Sequence, residues 1–102
     1  MVFRALTIWL LATATAPIPV AAEPWSAGRI RHLPDSAFAV VELALDGHPV
    51  RHLPHHDETG SVDLAHLRAA RSRLSQVKWR DPANEAVAAS HLEQHWRDLR
   101  QR

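Results

Sequence analysis

The sequence predicts a small α+β domain, a short β-hairpin packed on two C-terminal α-helices and preceded by a signal-peptide helix. Three observations predict it. An apolar, β-branched run, Phe38 to Leu45, leads into Asp46-Gly47. Leu64, Leu67, Ala70, Leu74 and Val77 recur at helical spacing. Asp81-Pro82 then opens a second stripe of Ala88, Ala89, Leu92, Trp96 and Leu99. The expected organisation is a signal peptide over 1–22, an irregular lead-in over 23–32 and the folded domain over 33–102.

The N-terminus has the three parts of an export signal. Arg4 supplies the positive charge, Ala5 to Ala16 is uncharged and mostly apolar, and Pro17 and Pro19 break any helix there. Val20-Ala21-Ala22 offers small residues to a signal peptidase, which places the cut after Ala22. Twelve helical residues rise about 18 Å, short of a bilayer core of about 30 Å. The expectation is a periplasmic or secreted domain with no stable membrane anchor after processing.

Glu23 to Pro34 carries no clear period and is expected to be irregular. In the first strand Phe38, Val40 and Glu42 share one face. Asp46-Gly47 is a strong hairpin signal, and Val50 to Leu53 returns until Pro54 stops it. An isolated hairpin is marginal in water, so the two helices must cover it. Ser61 or Asp63 caps the first helix, which should run about 13–15 residues on its apolar stripe. Asp81 is the expected N-cap of the second, with Pro82 at the first helical position. Arg97, Arg100 and Arg102 sit at its C-terminal, negative end. Trp79 lies between the helices and is expected to plug their joint against the hairpin.

Composition removes several chemistries. The chain has no cysteine, which excludes disulfides, zinc thiolates, cysteine nucleophiles and iron–sulfur clusters. Removing Arg4 with the signal leaves 11 basic and 11 acidic side chains. A neutral domain has no overall field to steer it onto nucleic acid, and no nucleic-acid partner is expected. Arg68, Arg71, Arg73, Lys78 and Arg80 are locally basic but fall on no single stripe, and are expected to form a solvated face.

Several short segments together resemble a small bacterial and phage module. Leu33-Pro34-Asp35-Ser36-Ala37-Phe38-Ala39 matches its LPDSAFA opening, and Leu53-Pro54-His55-His56-Asp57 its L-P-x-x-D stretch. His66 to Gln76 resembles its first helix, and His91-Leu92-Glu93-Gln94-His95 its H-L-x-x-H. The module recurs in phage head-associated proteins and is appended to bacterial signalling proteins. The resemblance covers Leu33 to about Leu99 and implies the fold more than a function. Ala69 and Arg71 stand where the module usually has Asn and Leu, and an export signal suits neither setting. Arg71 is expected to mark a solvated helix edge. Asp35 or Ser36 is expected to bond local backbone N–H groups.

Eight histidines are the compositional oddity. His91 and His95, four apart on a helix, present both rings to one side, where they can share a metal ion. Glu93 points elsewhere, and its offset is not that of the H-E-x-x-H proteases. A third ligand would come from His55, His56 or Asp57. Against this, His95 can simply pack beside Leu92 and Leu99 with His91 half exposed, and Asp57 can make a turn contact. His66 is expected to pack or cap. No serine stands in a nucleophile setting and no phosphate loop is present, so the chain is expected not to be an enzyme. The first expectation is therefore a non-catalytic interaction or accessory module with an unspecified protein partner, no cofactor and no stoichiometric metal. The alternative is a weak histidine-based periplasmic metal-binding protein.

Overall fold

The computed structural model describes residues 24–101, so the expected signal peptide lies outside the described residues. The chain forms α1 (Ala27–His32), β1 (Phe38–Leu43), β2 (Pro49–Pro54), α2 (Leu64–Arg73) and α3 (Asn84–Arg100). The architecture is α+β, a two-stranded antiparallel hairpin with C-terminal helices. α2 lies against β2 and α3 against β1.

The hairpin keeps one register, with Phe38 opposite Pro54, Val40 opposite His52 and Leu43 opposite Pro49, and the pairing skips Ala39 and Leu53. Its first strand ends earlier than expected. Ala44 N–H donates to His48 O and Gly47 N–H to Ala44 O, each at 2.9 Å, which leaves Leu45-Asp46-Gly47 as a three-residue loop. Gly47 takes a φ of 88°, the left-handed position such a loop requires.

The Asp63 side chain caps α2 by accepting from His66 N–H at 3.0 Å. Helical turns continue through a 3-10 segment, Leu74–Gln76, which brings the helical stretch to the expected length. Regular α3 starts at Asn84 rather than Pro82. Asp81 still receives Ala83 N–H on its side chain, but its own N–H is already bound to Glu42. That contact commits the backbone before the helix begins.

The helical stripes form the main core. Leu53, Leu67, Ala70, Ala88 and Leu92 are buried together, with Val40, Leu74, Val77, Trp79, Trp96 and Leu99 packed around them. Leu64 lies off this core and is exposed. Trp79 closes the joint as expected, its ring 4.8 Å from that of His52 on β2. A second core joins Leu33, Ala37 and Phe38 to Trp25, Ile30 and Val41.

That second core corrects the lead-in, which is a short helix and not irregular. The Ser26 side chain caps α1 by accepting Arg29 N–H at 3.0 Å. Arg51 on β2 donates to Leu33 O at 2.5 Å and Ile30 O at 2.9 Å, satisfying carbonyls at the helix C-terminus. Arg29 makes a two-pronged pair with Glu58 and lies over Trp25, whose ring stacks on His66 at 3.5 Å. Two further expectations change. The Asp35 carboxylate faces Arg51 at 3.5 Å, and the turn there is closed by backbone, with Ala37 N–H donating to Pro34 O. Arg71 is no solvated edge, since it lies over Trp96 and donates to Glu93 at 3.0 Å, tying α2 to α3.

Candidate metal centre

The segment after β2 is anchored before its side chains are considered. His55 N–H and His56 N–H both donate to Ala37 O, and His55 O accepts Asp63 N–H at 2.8 Å. The following turn is built by Asp57, which accepts from Thr59 N–H, Thr59 Oγ1 and Ser61 N–H. These bonds, that from Thr59 Oγ1 foremost, lower its pKa. Gly60 ends the turn at a φ of 87°. The backbone therefore presents two adjacent histidines in fixed positions beneath α3.

α3 supplies the other two. His91 and His95 are one turn apart, and His95 Nε2 lies 3.0 Å from His91 Nε2. His55 Nε2 lies 3.1 Å from His91 Nε2, and His56 Nε2 lies 3.1 Å from His95 Nε2. One nitrogen from each of the four rings falls within 4.8 Å of all the others. Zinc bonded to four imidazoles at about 2.0–2.1 Å separates the nitrogens by about 3.3–3.4 Å. The four nitrogens thus lie close enough together for one such ion to reach all of them after small ring movements.

The hydrogen bonds on the far side of the rings matter as much. His55 Nδ1 is 2.9 Å from Leu53 O, and His56 Nδ1 is 2.9 Å from Gly60 O. A carbonyl only accepts, so in both rings Nδ1 carries the hydrogen and Nε2 of the neutral ring keeps a lone pair. This is the tautomer a metal ligand needs, held by the kind of outer partner that orients ligating histidines. Leu53, which supplies the first of these carbonyls from the end of β2, adopts a φ of 63°, uncommon for a bulky residue. Strain of this kind costs about 1–3 kcal/mol and persists only where the surroundings enforce it.

With His55 and His56 as acceptors, His91 and His95 must each donate from Nε2 to satisfy those contacts. Their own Nε2···Nε2 contact at 3.0 Å then sets hydrogen against hydrogen. Removing either hydrogen sets lone pair against lone pair in a neighbouring contact. No arrangement of four neutral rings satisfies all three contacts together with both carbonyl bonds. Burial is the main cause that pushes the His55 pKa down to about 4, and burial also lowers those of His91 and His95. The burial that lowers these three pKa values favours their neutral forms, and the four Nε2 atoms converge without a complete set of partners.

The structure thus brings together His55, His56, His91 and His95 and leaves Asp57 out. His95 Nε2 faces His56 and His91, and His91 is exposed rather than half exposed. His66 has the packing and capping role expected, with Nδ1 2.6 Å from Asp63 Oδ2 and its ring under Trp25. The carbonyls of Leu53 and Gly60 had no signal in the sequence beyond the glycine itself. Among the described residues, no helix is long and apolar enough to cross a membrane. No family model, curated protein or solved structure matches the chain.

Proposed function

We propose that this protein is a small metal-binding module that holds one divalent transition ion, zinc fitting best, between His55, His56, His91 and His95. The observation that carries the reading is the convergence of four Nε2 atoms, two of them fixed as lone-pair donors by Leu53 O and Gly60 O. Four imidazoles without a carboxylate favour zinc, copper or nickel over magnesium or calcium. A shell filled by four protein ligands leaves no position for a substrate, which supports binding rather than catalysis. The reading takes the alternative drawn from the sequence ahead of the protein-interaction module, because two added ligands change a helical pair into a complete set. The setting we propose is extracytoplasmic, resting on Arg4, the apolar run over 5–16 and Val20-Ala21-Ala22.

The test is calorimetric titration of the purified protein with zinc, paired with thermal melting. One ion per chain should bind, and zinc at a hundredfold excess over its dissociation constant should add about 2.7 kcal/mol. His55→Ala, and the double change His91→Ala with His95→Ala, should each abolish both effects. An unchanged melt with no saturable heat would overturn the reading.

A further inference from the structure

We propose that His91 is the gate of this centre, the ligand that lets go first, so that the bound ion is passed on by ligand exchange to an outside nitrogen or sulfur donor. The inference rests on the metal-binding reading and deepens it. Its basis is a gradient across the four rings. His55 is fully buried, His56 and His95 are half-buried, and His91, though partly covered, is the most exposed of the four. The gradient in support runs the same way. His55 and His56 are each held on the far side by a backbone carbonyl, and their backbone is hooked to Ala37. Among the described residues, no hydrogen-bond partner meets Nδ1 of His91 or His95. Outer partners of this kind fix ligand orientation, so the rings that lack them turn most freely.

The centre therefore has a fixed floor and a movable rim, and the rim faces solvent at His91. An ion locked in for structural reasons would be expected behind ligands that are all buried and all braced. In the exchange step, an incoming donor offers a lone pair to the ion as the bond to His91 Nε2 breaks. The ion keeps its charge, no electrons are transferred, and His91 leaves with its own lone pair. His95 is released next, and the two loop histidines last. A neutral imidazole or a thiolate on the recipient supplies suitable chemistry, since both are good ligands for zinc and copper.

The experiment uses the full chain loaded with zinc and mixed rapidly with a chromogenic chelator, 4-(2-pyridylazo)resorcinol. Transfer from the unaltered protein should accelerate in proportion to chelator concentration, as direct attack on the bound ion requires. His91→Ala should keep one zinc ion per chain and release it at least about 10-fold faster, since losing even an outer partner of a ligand costs about 10–100-fold. His55→Ala should retain no stoichiometric zinc. Circular dichroism of each variant reports folding, and His91→Asn gives a second, polar replacement at the exposed position. A transfer rate independent of chelator concentration and equal in the unaltered protein and His91→Ala would overturn the exchange step while leaving the metal reading standing. So would loss of zinc from both His91 variants with retention in His55→Ala. An unaltered protein that binds no zinc would instead overturn the reading beneath it.

Discussion

Two regions of this molecule bury polar groups at opposite levels of satisfaction. At one, Glu42 is 6 % exposed and its carboxylate is surrounded by donors. Oε1 accepts from His52 Nε2 at 2.9 Å and Arg80 N–H at 3.1 Å, and Oε2 accepts from Asp81 N–H and Asn84 Nδ2 at 2.9 Å each. These bonds, led by that from Asp81, pull its pKa down to about 2. At the other region, four imidazole nitrogens converge with at least one contact that neutral rings cannot satisfy. The difference teaches what each group is for. A complete network ties β1 to the start of α3 and needs nothing more. An incomplete one, in a fold able to complete such networks, is the observation on which the proposed metal site rests.

The largest effect should come from the complete network. Glu42→Gln places an NH2 group among four donors and leaves buried N–H groups without an acceptor. It should lower the melting temperature more than truncating a core leucine does, and zinc should not restore it. A variant that melts like the parent would break the comparison by showing that the network holds nothing. Next comes the core the regions share. Leu67 is fully buried, and Leu67→Ala should cost about 2–5 kcal/mol in denaturant unfolding.

Acid should separate the regions by pH. The folded pKa of His55 lies below its unfolded value, so the unfolded chain takes up a proton first. In metal-free protein this stability is fully present above about pH 6.5 and is lost as pH falls toward 4. The Glu42 pKa is also depressed, and its contribution is lost lower, from the ordinary carboxylate range of about 4.3 toward 2. Denaturant midpoints measured across pH should therefore fall in two successive windows, and Glu42→Gln should remove only the lower one. A single drop confined below pH 4 would place no burden on His55.

The smallest effect sharpens the comparison at the histidine end. Asp63→Ala removes the α2 cap and should cost about 1 kcal/mol, with zinc affinity unchanged. The Asp63 backbone N–H would still hold His55 O. Loss of zinc affinity would mean that the cap, not the backbone, positions the loop.

What the sequence made legible was whatever repeats locally. The hairpin followed from the run Phe38 to Leu45 before Asp46-Gly47, two residues longer than the strand itself, and the core from Leu67, Ala70, Ala88 and Leu92, because strand and helix periods are carried by neighbouring residues. α1 was not legible. Its order depends on Arg51 and Glu58, which are distant in sequence and have no periodic signature. Glu42 was visible only as a charge inside an apolar strand, since its donors come from the joint before α3. The histidine cluster was half legible. The spacing of His91 and His95 is local, but their convergence with His55 and His56 depends on how α3 docks. Asp57 was indistinguishable from a ligand until its turn contacts were seen.

The central claim is that all four histidines of the incomplete network become ligands through Nε2. Long-range proton–nitrogen correlation spectra of labelled protein report the tautomer and bonding of each imidazole. On adding one equivalent of zinc, His55, His56, His91 and His95 should all show hydrogen on Nδ1 and a metal-shifted Nε2, with His91 and His95 changing tautomer. His32, His48, His52 and His66 should not move. Zinc shifts spread over those four residues, or a His91 and His95 pair that responds without His55 and His56, would contradict the account.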